Sequence, residues 1–130
     1  MTYGAKNYKQ MQISTASPAQ ILIMLYEGAI QNVKKAILAI EQKNTAEKGK
    51  YIGKAHDIIN ELTLSLNHEV GGAIAKDLER LYNFMVAQLL KANVESDREP
   101  LLAVQKNLET LLDGWKGAVA QFQKEAGSKK

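Results

Sequence analysis

Ile21-Leu22-Ile23-Met24-Leu25-Tyr26 is an unbroken run of six large apolar side chains, set just after Ser17-Pro18. Ser17 suits a helix N-cap, Pro18 suits the first helical position, and Gln20 completes a capping box, so the run falls in the opening turns of a helix. Six successive residues cover the whole circumference of a helix. A helix that is apolar all round has to be covered on every side, by its own domain or by something else.

Outward from that run, apolar residues recur at alternating steps of three and four, the spacing of helices packed lengthwise. The first series continues as Leu22, Tyr26, Ala29, Val33, Ala36 and Ile40. The second is Ile52, Ala55, Ile59, Leu62 and Leu66; the third is Ala75, Leu78, Tyr82, Met85, Leu89 and Ala92. The fourth runs Leu101, Val104, Leu108, Leu111, Trp115, Ala118, Phe122. Period-two alternation of the strand type is absent from the sequence. Asn44 with Glu47 opens the second helix, Gly71-Gly72 separates the second from the third, and Asp97 can cap the fourth with Pro100 inside its first turn. The spacing therefore predicts helices over 18–42, 45–68, 72–94 and 98–124. Connections this short force consecutive helices antiparallel. The expected fold is all-α, an antiparallel up-down four-helix bundle over 17–124, with a flexible N-terminal arm at 1–16 and a polar tail at 125–130.

The chain has 130 residues, enough for one domain with its own core and too few for two. It has no cysteine, which removes disulfides, thiolate zinc sites and cysteine nucleophiles and suits a reducing cytosol. No apolar run approaches the roughly 18 residues needed to span a bilayer, and no signal core follows Lys6 and Lys9, so neither membrane insertion nor export is expected. The net charge of +3 comes almost wholly from scattered lysines, with Arg80 and Arg98 the only arginines. Nucleic-acid binders cluster such charge and favour arginine, so nucleic acid is not an expected partner.

Helical bundles hold di-metal sites through inward Glu and Glu-x-x-His motifs. Neither His56 nor His68 has Glu three residues earlier; Gly53 and Ser65 stand there. His68 reads as a dipole contact or cap at the end of the second helix, and His56 as a boundary or surface residue. Phosphate loops and nucleophile elbows both need strands that the pattern lacks. The expectation is no metal, no cofactor and no enzymatic activity.

What the bundle does not absorb is apolar surface. With the 3-4 series facing the core, Ile23, Ile30 and Ile37 form a flanking row, while Met24 and Leu38 point away. Leu64, Phe84, Leu90, Val94 and Leu102 fall on flanks or outer faces in the same way. Single exposed leucines are normal, but outward apolar residues on all four helices make more groove than a solitary soluble protein usually exposes. Gly28, in mid-helix, costs about 1 kcal/mol relative to alanine and points to a close approach by a neighbouring or a bound helix. The arm carries Tyr3, Tyr8, Met11 and Ile13 in a segment too short to form a core, and is expected to lie on a groove when that groove is empty.

Several separated blocks, in order, resemble the flagellar secretion chaperones of the FliS family. They are Tyr8, Thr15-Ala16-Ser17-Pro18, Leu22 to Ile30, Ile58-Ile59-Asn60-Glu61-Leu62, Gly71-Gly72, Leu81 to Met85, Ala92-Asn93 and Trp115. The likeness covers about residues 8–116. It implies a cytoplasmic chaperone that binds the disordered C-terminal segment of flagellin before export, with export-gate or regulatory flagellar proteins as further candidate partners. The expected residues of the client site are Tyr8, Met11 and Ile13 on the arm, which the resemblance implies occupies part of the client surface in the free form, together with Ile23, Met24, Ile30, Leu64, Phe84, Leu90 and Val94 from the helical wheel. The alternative is a structural bundle that homodimerises through its outer apolar residues.

Overall fold

The computed structural model describes residues 17–128. Four helices follow one another: α1 Pro18–Glu41, α2 Thr45–Leu64, α3 His68–Glu95 and α4 Glu99–Ser128. α1 packs on α2 and α4, and α3 packs on the same two, so the helices form a square in chain order. Side-chain pairs fix the directions. Arg98 meets Glu41 at 2.9 Å and Lys116 meets Glu27 at 3.8 Å, which runs α4 opposite to α1. Lys48 near the start of α2 reaches Asn93 and Ser96 at the end of α3, so those two are antiparallel as well. The expected four-helix bundle is the observed fold.

Local chemistry sets the helix ends. Ser17 and Gln20 form the capping box at α1, their reciprocal bonds measuring 3.2 and 3.0 Å. Asn44 accepts from the Glu47 N–H at the start of α2, and Asp97 accepts from the Glu99 N–H at the start of α4. α1 ends in a Schellman arrangement, with Asn44 N–H on Ala39 O, Lys43 N–H on Ile40 O, and Lys43 left-handed at φ 56°.

The second and third helices depart from expectation. α2 stops at Leu64, not 68, because Asn67 caps α3 by accepting from the Glu69 and Val70 N–H groups. His68 therefore opens α3 instead of closing α2, and its Nε2 lies 3.4 Å from Glu79. Gly71-Gly72 is not the connection but a kink inside α3: Gly72 takes φ 52°, ψ −122°, and α3 continues beyond it. α4 runs on to Ser128, past the expected end at 124, through the helix formers Lys124, Glu125 and Ala126.

The 3-4 series supplies the core. Tyr26, Val33, Ile59, Leu62, Tyr82, Met85, Leu89, Leu101, Val104 and Leu108 are fully buried. Truncating such a leucine to alanine typically costs about 2–5 kcal/mol. Two positions of the fourth series do not belong to the core: Ala118 and Phe122 are exposed.

Candidate functional site

Part of the surplus apolar surface lies at the end of the bundle where α1 begins, α2 passes into α3, and α4 runs out. Trp115 of α4 is half-buried there and leans on Tyr26, ring centroids 6.5 Å apart at a tilt of 51°. Leu22, one turn before Tyr26, stands beside it. These two residues are shared by two shallow apolar depressions.

One depression, of about 280 Å³, is walled by Leu66 from the α2–α3 turn and by Val70, Ile74, Leu78 and Tyr82 of α3. The other, of about 580 Å³, lies between Pro18 and Ala19 of α1 and Ala118, Val119 and Phe122 of α4. Val70, Ile74 and Phe122 are 85%, 69% and 72% exposed. Apolar side chains this open around a concave floor exceed the scattered single apolar residues of an ordinary surface.

Beneath the floor, the Tyr26 and Tyr82 hydroxyls are hydrogen-bonded to each other. Burial raises the Tyr26 phenol above the usual tyrosine value, partly opposed by Tyr82 and by the Trp115 N–H, which favour its anion. Tyr82 is pushed up by burial and then by Tyr26. The Trp115 N–H itself has no acceptor in hydrogen-bond geometry among the described residues. Both phenols stay neutral at physiological pH. This is a rigid support, not a reactive group.

The expected site residues divide. Tyr8, Met11 and Ile13 lie outside the described residues. Met24, Leu64, Phe84, Leu90 and Val94 are exposed as expected, and Ile23 is half-buried against the core. Ile30 is a correction: at 6% exposure it is a core residue, as is its flanking neighbour Ile37. α1 packs against both α2 and α4, so its buried arc is wider than one 3-4 series. Ile23, Met24, Ile30, Leu64, Phe84, Leu90 and Val94 line neither depression, so none of the described candidates belongs to this site. Gly28 takes the bland role, since a Cβ there would meet the Ile58 side chain at 3.4 Å, an internal helix contact.

Leu66, Val70, Ile74 and Phe122 are absent from the sequence-based candidates. Their signal was available: Leu66, Val70 and Ile74 repeat every four residues across a segment read as a break. Among the described residues no group of His, Cys, Asp or Glu could hold a metal ion, and no helix is long and apolar enough to cross a membrane.

The sequence model of a family described as flagellar protein FliS matches residues 1–122. The flagellar secretion chaperone FliS of Salmonella typhimurium is 36% identical over 118 residues, 87% of each chain. That of Vibrio cholerae is 41% identical over 104 residues, 80% of this chain and 76% of its own. That of Bacillus subtilis is 30% identical over 118 residues, 91% and 87%. A solved structure described as a flagellar chaperone from bacteria superposes with a TM-score of 0.76 over 92% of this chain and 98% of its own, at 24% identity, a likeness of fold. These relatives carry the name of chaperones, not of enzymes. With a family match over nearly the whole length and relatives above 30% identity, the chain belongs to the flagellar protein FliS family.

Proposed function

We propose that this chain is a cytoplasmic export chaperone. It binds the disordered C-terminal segment of flagellin in its apolar grooves, prevents premature polymerisation, and delivers the client to the flagellar type III export apparatus. The observation that carries this reading is the pair of apolar depressions meeting at Leu22 and Trp115, rimmed by uncovered Val70, Ile74 and Phe122.

A disordered segment that folds on binding has to offset its ordering cost, so affinity must come from extended apolar contact. An amphipathic helix laid in a groove meets that need, and it covers sticky surface on both partners at once. The exposed Phe84, Leu90 and Val94 on the outer face of α3 offer further apolar contact to a long client.

Calorimetry of the full chain with a peptide of the flagellin C-terminal segment tests the reading. The expected result is one-to-one binding with a negative heat-capacity change and a gain of helical circular dichroism. No binding, beside a concentration-dependent dimer of the chaperone alone, would replace this reading with that of a self-associating structural bundle.

A further inference from the structure

On the α1–α2 edge, away from both depressions, three lysines converge on one ring. The ammoniums of Lys35 from α1 and of Lys50 and Lys54 from α2 lie 5.4, 5.2 and 5.7 Å from the centroid of Tyr51. Tyr51 is half-buried against the core and so fixed in place, while the three lysines are exposed. Among the described residues none of the three has a carboxylate partner. Of the acids flanking them on α2, Asp57 faces His56 at 3.7 Å and Glu47 makes no ion pair.

The electron-rich face of Tyr51 attracts each cation singly. It does not neutralise them. Held within 5.7 Å of one point, the three ammoniums repel one another, with salt screening part of that repulsion. An anion seated among them relieves that repulsion and gains three ammonium donors. We propose that Lys35, Lys50 and Lys54 around Tyr51 form a docking point for an acidic segment of a partner protein, whose carboxylates bridge the ammoniums above the ring.

The chemistry favours a protein chain over the other polyanions. The charges gather in a footprint one ring wide, which suits a few carboxylates of one segment, whereas a lipid surface rewards basic residues spread beside inserting apolar ones. This inference is independent of the flagellin reading, since none of the four residues lines either depression.

The test is fluorescence anisotropy of a labelled decapeptide of alternating glutamate and glycine, titrated with the full chain, with the glutamine counterpart as control. Lys35→Gln/Lys50→Gln/Lys54→Gln is compared with Lys76→Gln/Lys91→Gln/Lys106→Gln, which removes the same charge elsewhere. The cluster variant should weaken binding at least tenfold and the control variant less than threefold; Lys50→Gln and Lys54→Gln singly carry the same comparison should the triple variant fold poorly. Equal weakening by the two sets, or no binding of the glutamate peptide by the parent chain, overturns the proposal. So does lysine-dependent sedimentation with phosphatidylglycerol vesicles without peptide binding, which would assign the cluster to a membrane surface.

Discussion

The Tyr26 and Tyr82 hydroxyls are hydrogen-bonded to each other in the core, joining α1 to α3 across the diagonal of the square, with ring centroids 6.5 Å apart. Each is the other's partner, so removing one hydroxyl leaves the other buried and unsatisfied. Tyr82→Phe should cost about 1–3 kcal/mol, and Tyr26→Phe/Tyr82→Phe should cost less than either single change, because no polar group is then stranded. A double-mutant cycle in urea reads this directly. Additive single and double effects would mean that the two hydroxyls are satisfied independently.

The same pair sets an alkaline limit. Burial is the first cause of a raised phenol in both residues, so the fold favours their neutral forms. A group raised in the folded state contributes its stability in full below its unfolded value, about 10 for tyrosine, and loses it as pH rises beyond. The expected outcome is unchanged stability up to about pH 9, then a steep fall. Absorbance at 295 nm should show Tyr26 and Tyr82, two of the five tyrosines, ionising only as the helices melt. Complete titration of all five with the helical signal intact would contradict it.

Lys48 is 7% exposed, and its ammonium donates to Asn93 O at 2.9 Å and Ser96 Oγ at 2.7 Å. Ser96 ends α3 in the left-handed region, so this lysine ties the start of α2 to a helix C-terminus whose carbonyls favour a cation. Lys48→Met keeps the apolar stem and removes the donor. It should cost about 1–3 kcal/mol in urea denaturation. A change below about 0.5 kcal/mol would place the ammonium in solvent instead.

Gly72 sits at φ 52°, ψ −122°, which a residue with a Cβ adopts only under strain. Gly71 beside it has no room, since a Cβ there would stand 2.9 Å from the Ala75 Cβ. Gly72→Ala should therefore cost about 1–3 kcal/mol. Gly53, helical with nothing within 4 Å of an added Cβ, provides the contrast: Gly53→Ala should stabilise by about 0.5–1 kcal/mol. Thermal melts of the two variants should shift in opposite directions.

The bundle was legible because each 3-4 series is long and each start has a capping residue. Tyr26 and Tyr82 could be placed in the core from spacing alone. That their hydroxyls meet could not, since it depends on how diagonal helices face each other. Gly71-Gly72 misled because a glycine pair marks a break without saying whether a helix resumes from the same axis; Asn67, with Glu69 in the following turn, held the better start signal. Ile30 was misplaced because a helix with two packed neighbours buries more than a single series. The floor at Leu22 and Trp115 was half legible, as members of their series; of its walls, Val70 and Ile74 flank a glycine pair that reads as a break, and Phe122 belongs to a series expected to face the core.

Those walls carry the most direct functional prediction. Ile74 and Phe122 are well exposed and open the two depressions from α3 and α4, so a glutamate at either position meets no core. Ile74→Glu and Phe122→Glu should leave the helical signal and stability within about 0.5 kcal/mol of the parent. Each should weaken binding of the flagellin segment at least tenfold, since a charge pressed into an apolar contact has to be desolvated. Trp115→Ala should do both, costing about 1–3 kcal/mol of stability through lost packing on Tyr26 and weakening binding through a lost floor. Leu90→Glu, on the outer face of α3 and outside both depressions, separates this site from a general need for apolar surface. If Leu90→Glu abolishes binding while Ile74→Glu and Phe122→Glu bind normally, the client lies along the outer face of α3 and not at the Leu22–Trp115 end.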